Sequence, residues 1–276
     1  MVSKLNLLAY ALCIAIHLSS ALGAYSAGFG VSGAILKAEV LPGEEIRHQM
    51  VVMIADDGSP LELVAEVVGF GQTLDGEPVR LESEDDTSPH SARDFLRVSP
   101  ERFKVKTGSS ESLLLNGEIP RDGWAGGRYA LIEIRSLPPG YGPFGIAFAI
   151  YVPIFLTISG TELVETGEIT GLEVEEMDGP SVDLMASLTF KNTGNHHYRA
   201  RAGAVLKDGL GNVLASGETP LEESSIIPEA LRLFEISLGG ADDLPSGAFL
   251  EARVISEDGR TLDSDEIALA GEGSWR

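Results

Sequence analysis

The chain has 276 residues, enough for two domains with separate cores, and its 43% hydrophobic content with 32 Gly and 14 Pro suits a globular, turn-rich protein. A formal net charge of −22 makes nucleic acid and anionic lipid poor partners, because like charges repel at the surface. The one cysteine, Cys13, lies in an N-terminal leader, so the rest of the chain has no disulfide, no thiolate metal site and no cysteine nucleophile.

The leader is read from residues 1–24. Lys4 supplies a short positive region, Leu7 to Leu18 is almost unbroken apolar sequence, and Ser19, Ser20, Ala21, Gly23 and Ala24 offer a cleavage site near Ala21 to Ala24. The apolar run is shorter than the ~20 residues that a spanning helix needs. A cleaved signal peptide is therefore expected, and with it an exported mature chain at the cell surface or in a periplasmic space.

From Val31 onward, short apolar segments alternate with Gly, Pro, Asp and Asn, and no long run has the period of a helix. This predicts an all-β protein of two tandem Ig-like or fibronectin-like β-sandwich domains, residues 25–160 and 161–270, with a tail at 271–276. The predicted strands of the first domain are 34–40, 46–54, 61–68, 95–100, 103–106, 112–115 and 128–135. Residues 71–94, centred on Glu82-Ser83-Glu84-Asp85-Asp86, read as a long solvated acidic loop. Residues 128–135 read as an alternating strand with one buried face.

The last strand of the first domain is the most apolar stretch beyond the leader, residues 146–158. Its even positions Ile146, Phe148, Ile150, Val152, Ile154, Leu156 and Ile158 are all large and apolar, a period of two that a strand requires. The odd positions Ala147, Ala149, Tyr151 and Phe155 are apolar too, so both faces avoid water. Either the second domain or another sheet covers the outer face, or an incoming strand does so by β-augmentation. Ser159-Gly160-Thr161 is the expected hinge. Beyond it the predicted strands are 169–175, 182–192, 201–207, 213–215, 231–238, 247–255 and 262–269, with a hairpin turn at Asp208-Gly209-Leu210-Gly211-Asn212.

The segments Val98-Ser99-Pro100-Glu101-Arg102-Phe103-Lys104-Val105, Ile119-Pro120 and Gly127-Arg128-Tyr129-Ala130 resemble the first domain of periplasmic pilus-assembly chaperones. They also resemble related Gram-positive and archaeal surface proteins that bind WxL-type partners and the cell wall. Phe190-Lys191-Asn192-Thr193-Gly194-Asn195-His196 is similar to the start of the second Ig-like domain in that group. The resemblance implies a two-domain protein that acts by surface contact. It departs from the pilus chaperones at their paired cleft cations: Lys37 is the sole basic residue of the first predicted strand, and the second domain is strongly acidic.

Chemistry-bearing motifs are sparse. His196-His197 are adjacent and so point to opposite faces of a strand, a poor metal clamp; His48 and His90 read as isolated surface residues. Asp56-Asp57-Gly58 and the 208–212 turn lack the ligand spacing of a calcium loop. No nucleophile elbow, phosphate loop, zinc motif or dinucleotide fingerprint is present. No catalytic residue, metal or cofactor is expected. The expected function is a non-catalytic cell-envelope interaction or assembly protein that binds another exported protein or a surface polymer through sandwich edges and the interdomain cleft. The alternative is a chaperone for secreted fibre subunits that pairs strands along 146–158. The contact residues are Ile146, Phe148, Ile150, Val152 and Ile154, with a basic row at Arg102, Lys104 and Lys106 that either docks an acidic partner or blunts an edge.

Overall fold

The structure is a computed structural model and describes residues 24–26, 29–121, 125–137, 148–177, 183–240 and 245–269. Residues 1–23 of the predicted leader, residue Ile146 and the tail lie outside the described residues. All the regular elements described are strands, arranged as Ig-like β-sandwiches.

In the first half, one sheet runs β1 (Ala24–Ser26), β2 (Phe29–Ser32), β4 (Glu45–Ile54), β9 (Ser110–Glu118) and β7 (Leu96–Ser99). The facing sheet runs β3 (Leu36–Val40), β11 (Ala149–Ile158), β10 (Gly127–Ser136), β5 (Leu61–Gln72) and β6 (Pro78–Leu81), with β8 (Arg102–Val105) also paired to β5. The second half has a three-stranded sheet of β12 (Gly167–Met177), β13 (Asp183–Asn192) and β16 (Leu231–Gly240). Its companion has the order β15 (Val213–Glu218), β14 (Ala200–Lys207), β17 (Phe249–Ser256) and β18 (Thr261–Ala268).

Alternation builds each core. On β8 the exposed residues Arg102 and Lys104 alternate with buried Phe103 and Val105, and on β9 Leu113 and Leu115 turn inward between exposed neighbours. Met50, Val52, Leu63, Ile132, Ile134, Val152, Ile154 and Leu156 meet between the sheets of the first half. A second cluster around Leu188, Phe190, Leu206, Phe234, Leu250 and Val254 fills the other sandwich.

Two expectations change. The reach 71–94 is not one solvated loop. β5 continues through Gly69, Phe70 and Gly71 to Gln72, and β6 pairs back onto it from Gly69↔Leu81 to Gln72↔Pro78. The glycines dilute the apolar pattern, yet Gly69 has a packing reason: a Cβ there would lie 2.7 Å from Asp86 Cβ. The tip at Glu82, Ser83, Glu84 and Asp85 is exposed, whereas the Asp86 side chain is turned in and accepts a hydrogen bond from Ser91 Oγ at 2.7 Å. Further on, Tyr129 N–H donates to His90 O and Ala92 N–H to Tyr129 O, so the chain is stitched to the end of β10.

The second change concerns β10, whose two faces are both buried apart from Arg135. Ala130, Ile132 and Ile134 face the sandwich core. Tyr129 and Leu131, on the other face, join Val68, Phe70, Phe155 and Ile227 in a separate apolar cluster. Ile227 belongs to the second half, so the cluster joins the two halves.

Candidate functional site: the strand β11 and the interface beside it

β11 pairs antiparallel with β10 along its whole length, from Arg135↔Ala149 to Gly127↔Thr157. On its other side it pairs with β3 in parallel, but only from Ile154↔Leu36 to Ile158↔Val40. Among the described residues, Ala149 to Pro153 has no strand partner on that second side.

The direction of each backbone group follows from three hydrogen bonds. Ile158 N–H donates to Gly126 O and Ser136 N–H to Phe148 O, while Ser159 N–H donates to Val40 O. Even positions of β11 therefore turn their N–H and C=O groups toward β10, and odd positions turn theirs toward β3 or, before it begins, toward the open edge. Pro153 is the first odd position short of the β3 ladder, and it has no N–H to give. A proline is tolerated in a strand where its missing donor faces an unpaired side, and here it marks the end of the ladder.

Side chains divide by the same parity. Val152, Ile154 and Leu156 are fully buried in the sandwich core, and Ile150 and Phe148 are partly buried against it, with the Phe148 ring 4.9 Å from that of Phe29. Val152 and Ile154 thus present neither an exposed side chain nor a free backbone group. The groups available to an incoming strand belong to Ala149 and Tyr151, which sequence periodicity assigned to a covered face. Ala149 is exposed and Tyr151 half-buried, its hydroxyl 3.4 Å from Glu133 Oε1. Burial, followed by the charge of Glu133, raises the Tyr151 pKa. Glu133 is itself buried and is paired with Arg80.

The basic row lies elsewhere. Arg102, Lys104 and Lys106 are exposed on and just after β8, which pairs only with β5, so β10 and β5 separate this row from β11. Lys104 Nζ is 3.5 Å from Glu62. The structure does not bring the two predicted groups of contact residues together.

It does assemble an interface that the sequence left unassigned. Phe155, on the outer face of β11, packs edge-on against Tyr129 and Phe70, with ring centroids 5.8 and 5.5 Å away. The His197 ring stands 4.9 Å from Phe155, and its Nδ1 is 3.2 Å from the Tyr129 hydroxyl. Lys37 Nζ sits 5.2 Å above the Phe155 ring, a cation–π contact at the mouth of the interface. Burial first, then the charges of Lys37 and His196, lower the His197 pKa to about 4. Burial also raises the Tyr129 phenol.

Backbone contacts complete the join. Gln72 Nε2 donates to Ser225 O at 2.9 Å, its Oε1 accepts from Ile227 N–H at 3.0 Å, and Leu233 N–H donates to Leu74 O at 2.9 Å. Histidines expected to be isolated also have partners. His48 Nε2 is 2.9 Å from Gly33 O, and His90 Nδ1 is 3.1 Å from Gly127 O. His196, buried, faces Glu165 at 3.4 Å, so the histidine pair serves two different neighbourhoods. Among the described residues no group of His, Cys, Asp and Glu is arranged to hold a metal ion, and no helix is long and apolar enough to cross a membrane.

The strand order and two apolar cores define a tandem Ig-like β-sandwich protein. No family model matches the chain, and no curated protein matches it in sequence. Among solved structures it is similar to the E. coli chaperone DraB, with 16% identity over 87% of this chain and 98% of that one and a TM-score of 0.39. It is similar also to a chain of the Salmonella enterica SafA pilin in complex with the SafB chaperone, with 12% identity, 89% and 98% coverage and a TM-score of 0.40. The PapD-like domain 7 of human CEP192 matches with 12% identity, 50% and 89% coverage and a TM-score of 0.34. The likeness is distant, and no residue role is carried across it.

Proposed function

We propose that this chain is a non-catalytic, exported binding protein that holds an extended segment of another exported protein by pairing it to β11 at Ala149 to Pro153. One observation carries this: among the described residues, β11 is paired on both sides over Ile154 to Ile158 and on one side only over Ala149 to Pro153. Strand addition needs unpaired N–H and C=O groups beside a surface that can cover apolar side chains. Ala149 and Tyr151 have the former, and half-buried Phe148 and Ile150 the latter. The paired half takes no part, since its ladder positions are filled by β3.

The experiment is site-specific photocrosslinking in the native envelope, with the photoreactive residue at Tyr151 and, as a control, at Lys104 on the opposite side of the sheet. An exported protein, attached through one extended segment, is expected at 151 and not at 104. Ala149→Pro removes an N–H from the open edge at an exposed strand start and should abolish that adduct while leaving thermal unfolding nearly unchanged. Equal labelling at the two positions, or an adduct that survives Ala149→Pro, would overturn the proposal. An adduct lost as the partner assembles identifies a chaperone; one that persists identifies a structural attachment.

A further inference from the structure

Beside the Tyr129 and Phe70 cluster, the two halves form an open cleft of ~510 Å³. Its walls are the end of β5, residues 85–91, and residues 227–231 of the second half. The volume lies within the range of small-ligand sites, and a junction between domains is a common place for one. The lining is mostly apolar: Phe70 and Ile227 from the interface cluster, with Leu81 and Ala230 beside them.

The polar groups share one sign. Asp85, Asp86 and Glu229 line the cavity, and no Lys or Arg does. Two cations stand behind the wall: Arg93, whose Nε is 3.7 Å from Asp86, and buried Arg128, whose Nη1 is 3.4 Å from the His90 Nδ1. Glu229 accepts a hydrogen bond from neutral Ser88 at 2.6 Å. His90 does not restore the balance, because burial is the main cause lowering its pKa.

Glu229 is held in place at some cost. It is the one non-glycine residue with positive φ among the described residues, at 70°, a conformation that is strained for a residue with a Cβ. Its N–H donates to Asn192 O at 2.8 Å, and Ala230 N–H to Ile227 O at 3.1 Å, which fixes the turn at the rim.

We infer that this cavity binds a small organic cation, a compact apolar body ending in an ammonium or guanidinium group. The body displaces water from the apolar wall, and the cation meets the carboxylates of Asp85 and Glu229 in a site with no Lys or Arg among its lining residues. The ligand touches both halves and so stabilises their junction by mass action. The site is independent of strand pairing at β11.

The test is calorimetric titration of the full chain with 4-phenylbutylammonium, and with 4-phenyl-1-butanol and 4-phenylbutyrate as neutral and anionic counterparts. The ammonium should bind one to one, the alcohol about tenfold more weakly, and the carboxylate not measurably. Asp85→Asn and Glu229→Gln, which keep shape and the Ser88 contact, should each weaken the ammonium about three- to tenfold. Ala149→Pro should leave it unchanged, so failure here and failure of the strand-pairing proposal are separable. Equal affinity for ammonium and alcohol, or an ammonium affinity indifferent to both carboxylate substitutions, would overturn the inference. A blocked Gly-Phe-Lys-Gly peptide that competes with the ammonium assigns the natural ligand to a protein side chain; a peptide that does not compete assigns it to a free amine.

Discussion

The two halves of β11 share one strand, one alternation and one neighbour in β10, yet they differ in what lies on the other side. Ile154 to Ile158 is closed by β3, and its outer face is covered at Phe155 by Tyr129 and His197. Ala149 to Pro153 keeps the inward packing of Ile150 and Val152 but lacks the second ladder. Burial of side chains and satisfaction of the backbone are thus separate properties of a strand. A stretch can be essential to the core and still have a free edge.

The sharpest way to break the comparison is to truncate one inward side chain in each half. Ile154→Ala removes a fully buried residue and should cost about 2–5 kcal/mol, while Ile150→Ala, only partly buried, should cost less than about 2 kcal/mol. Urea denaturation of both variants measures the difference. Equal losses would mean that the open half is packed as tightly as the closed one.

The cover over the closed half should respond to acid. His197 has an ordinary pKa of 6.5 and one of about 4 in the fold, chiefly because it is buried, with Lys37 and His196 opposing its charge. A folded value below the unfolded one means that the neutral form is favoured on folding. The associated stability is complete above about pH 6.5 and is lost as pH falls toward 4, on the order of 2–3 kcal/mol. His197→Phe keeps a ring beside Phe155 and should flatten this slope between pH 7 and 4 relative to the parent chain. His90 shifts the same way and leaves a residual slope.

The smallest effect sharpens the boundary itself. Pro153→Val supplies the N–H that the β3 ladder lacks at its start. The new hydrogen bond is worth about 1 kcal/mol, roughly offset by the greater freedom of the unfolded chain once proline is gone. Stability should therefore change little, and hydrogen exchange is the informative measurement: the amide at the substituted position should be protected. Rapid exchange there would show that proline is not what ends the ladder.

Most of the strands were legible because a period of two needs only neighbouring residues to be visible. Residues 46–54, 128–135 and 182–192 declare themselves in that way. β6 did not, because four residues that begin with Pro78 and follow two glycines on β5 carry too little pattern. Nor did the second buried face of β10, since Tyr129 and Leu131 are covered by residues such as Ile227 that are distant in sequence. The candidate site was half legible. Periodicity located the apolar strand and its core face, but the free edge depends on where β3 starts, and that is a fact about another segment. His197 and Gln72 carry no local signal; the latter meets Ile227 across a separation of 155 residues.

Gln72 has a further consequence. Its amide donates to one main-chain carbonyl and accepts from a main-chain N–H two residues on, as a neighbouring strand would. The loop at 225–227 is therefore recognised through atoms that every non-proline amino acid possesses. Substitutions at Ser225 can accumulate without loosening this bond, whereas shortening Gln72 by one methylene would withdraw both ends of it together. Gln72 thus adds to the Leu233 to Leu74 bond and the Tyr129 to His197 contact a link that is indifferent to the side chains of the loop it holds.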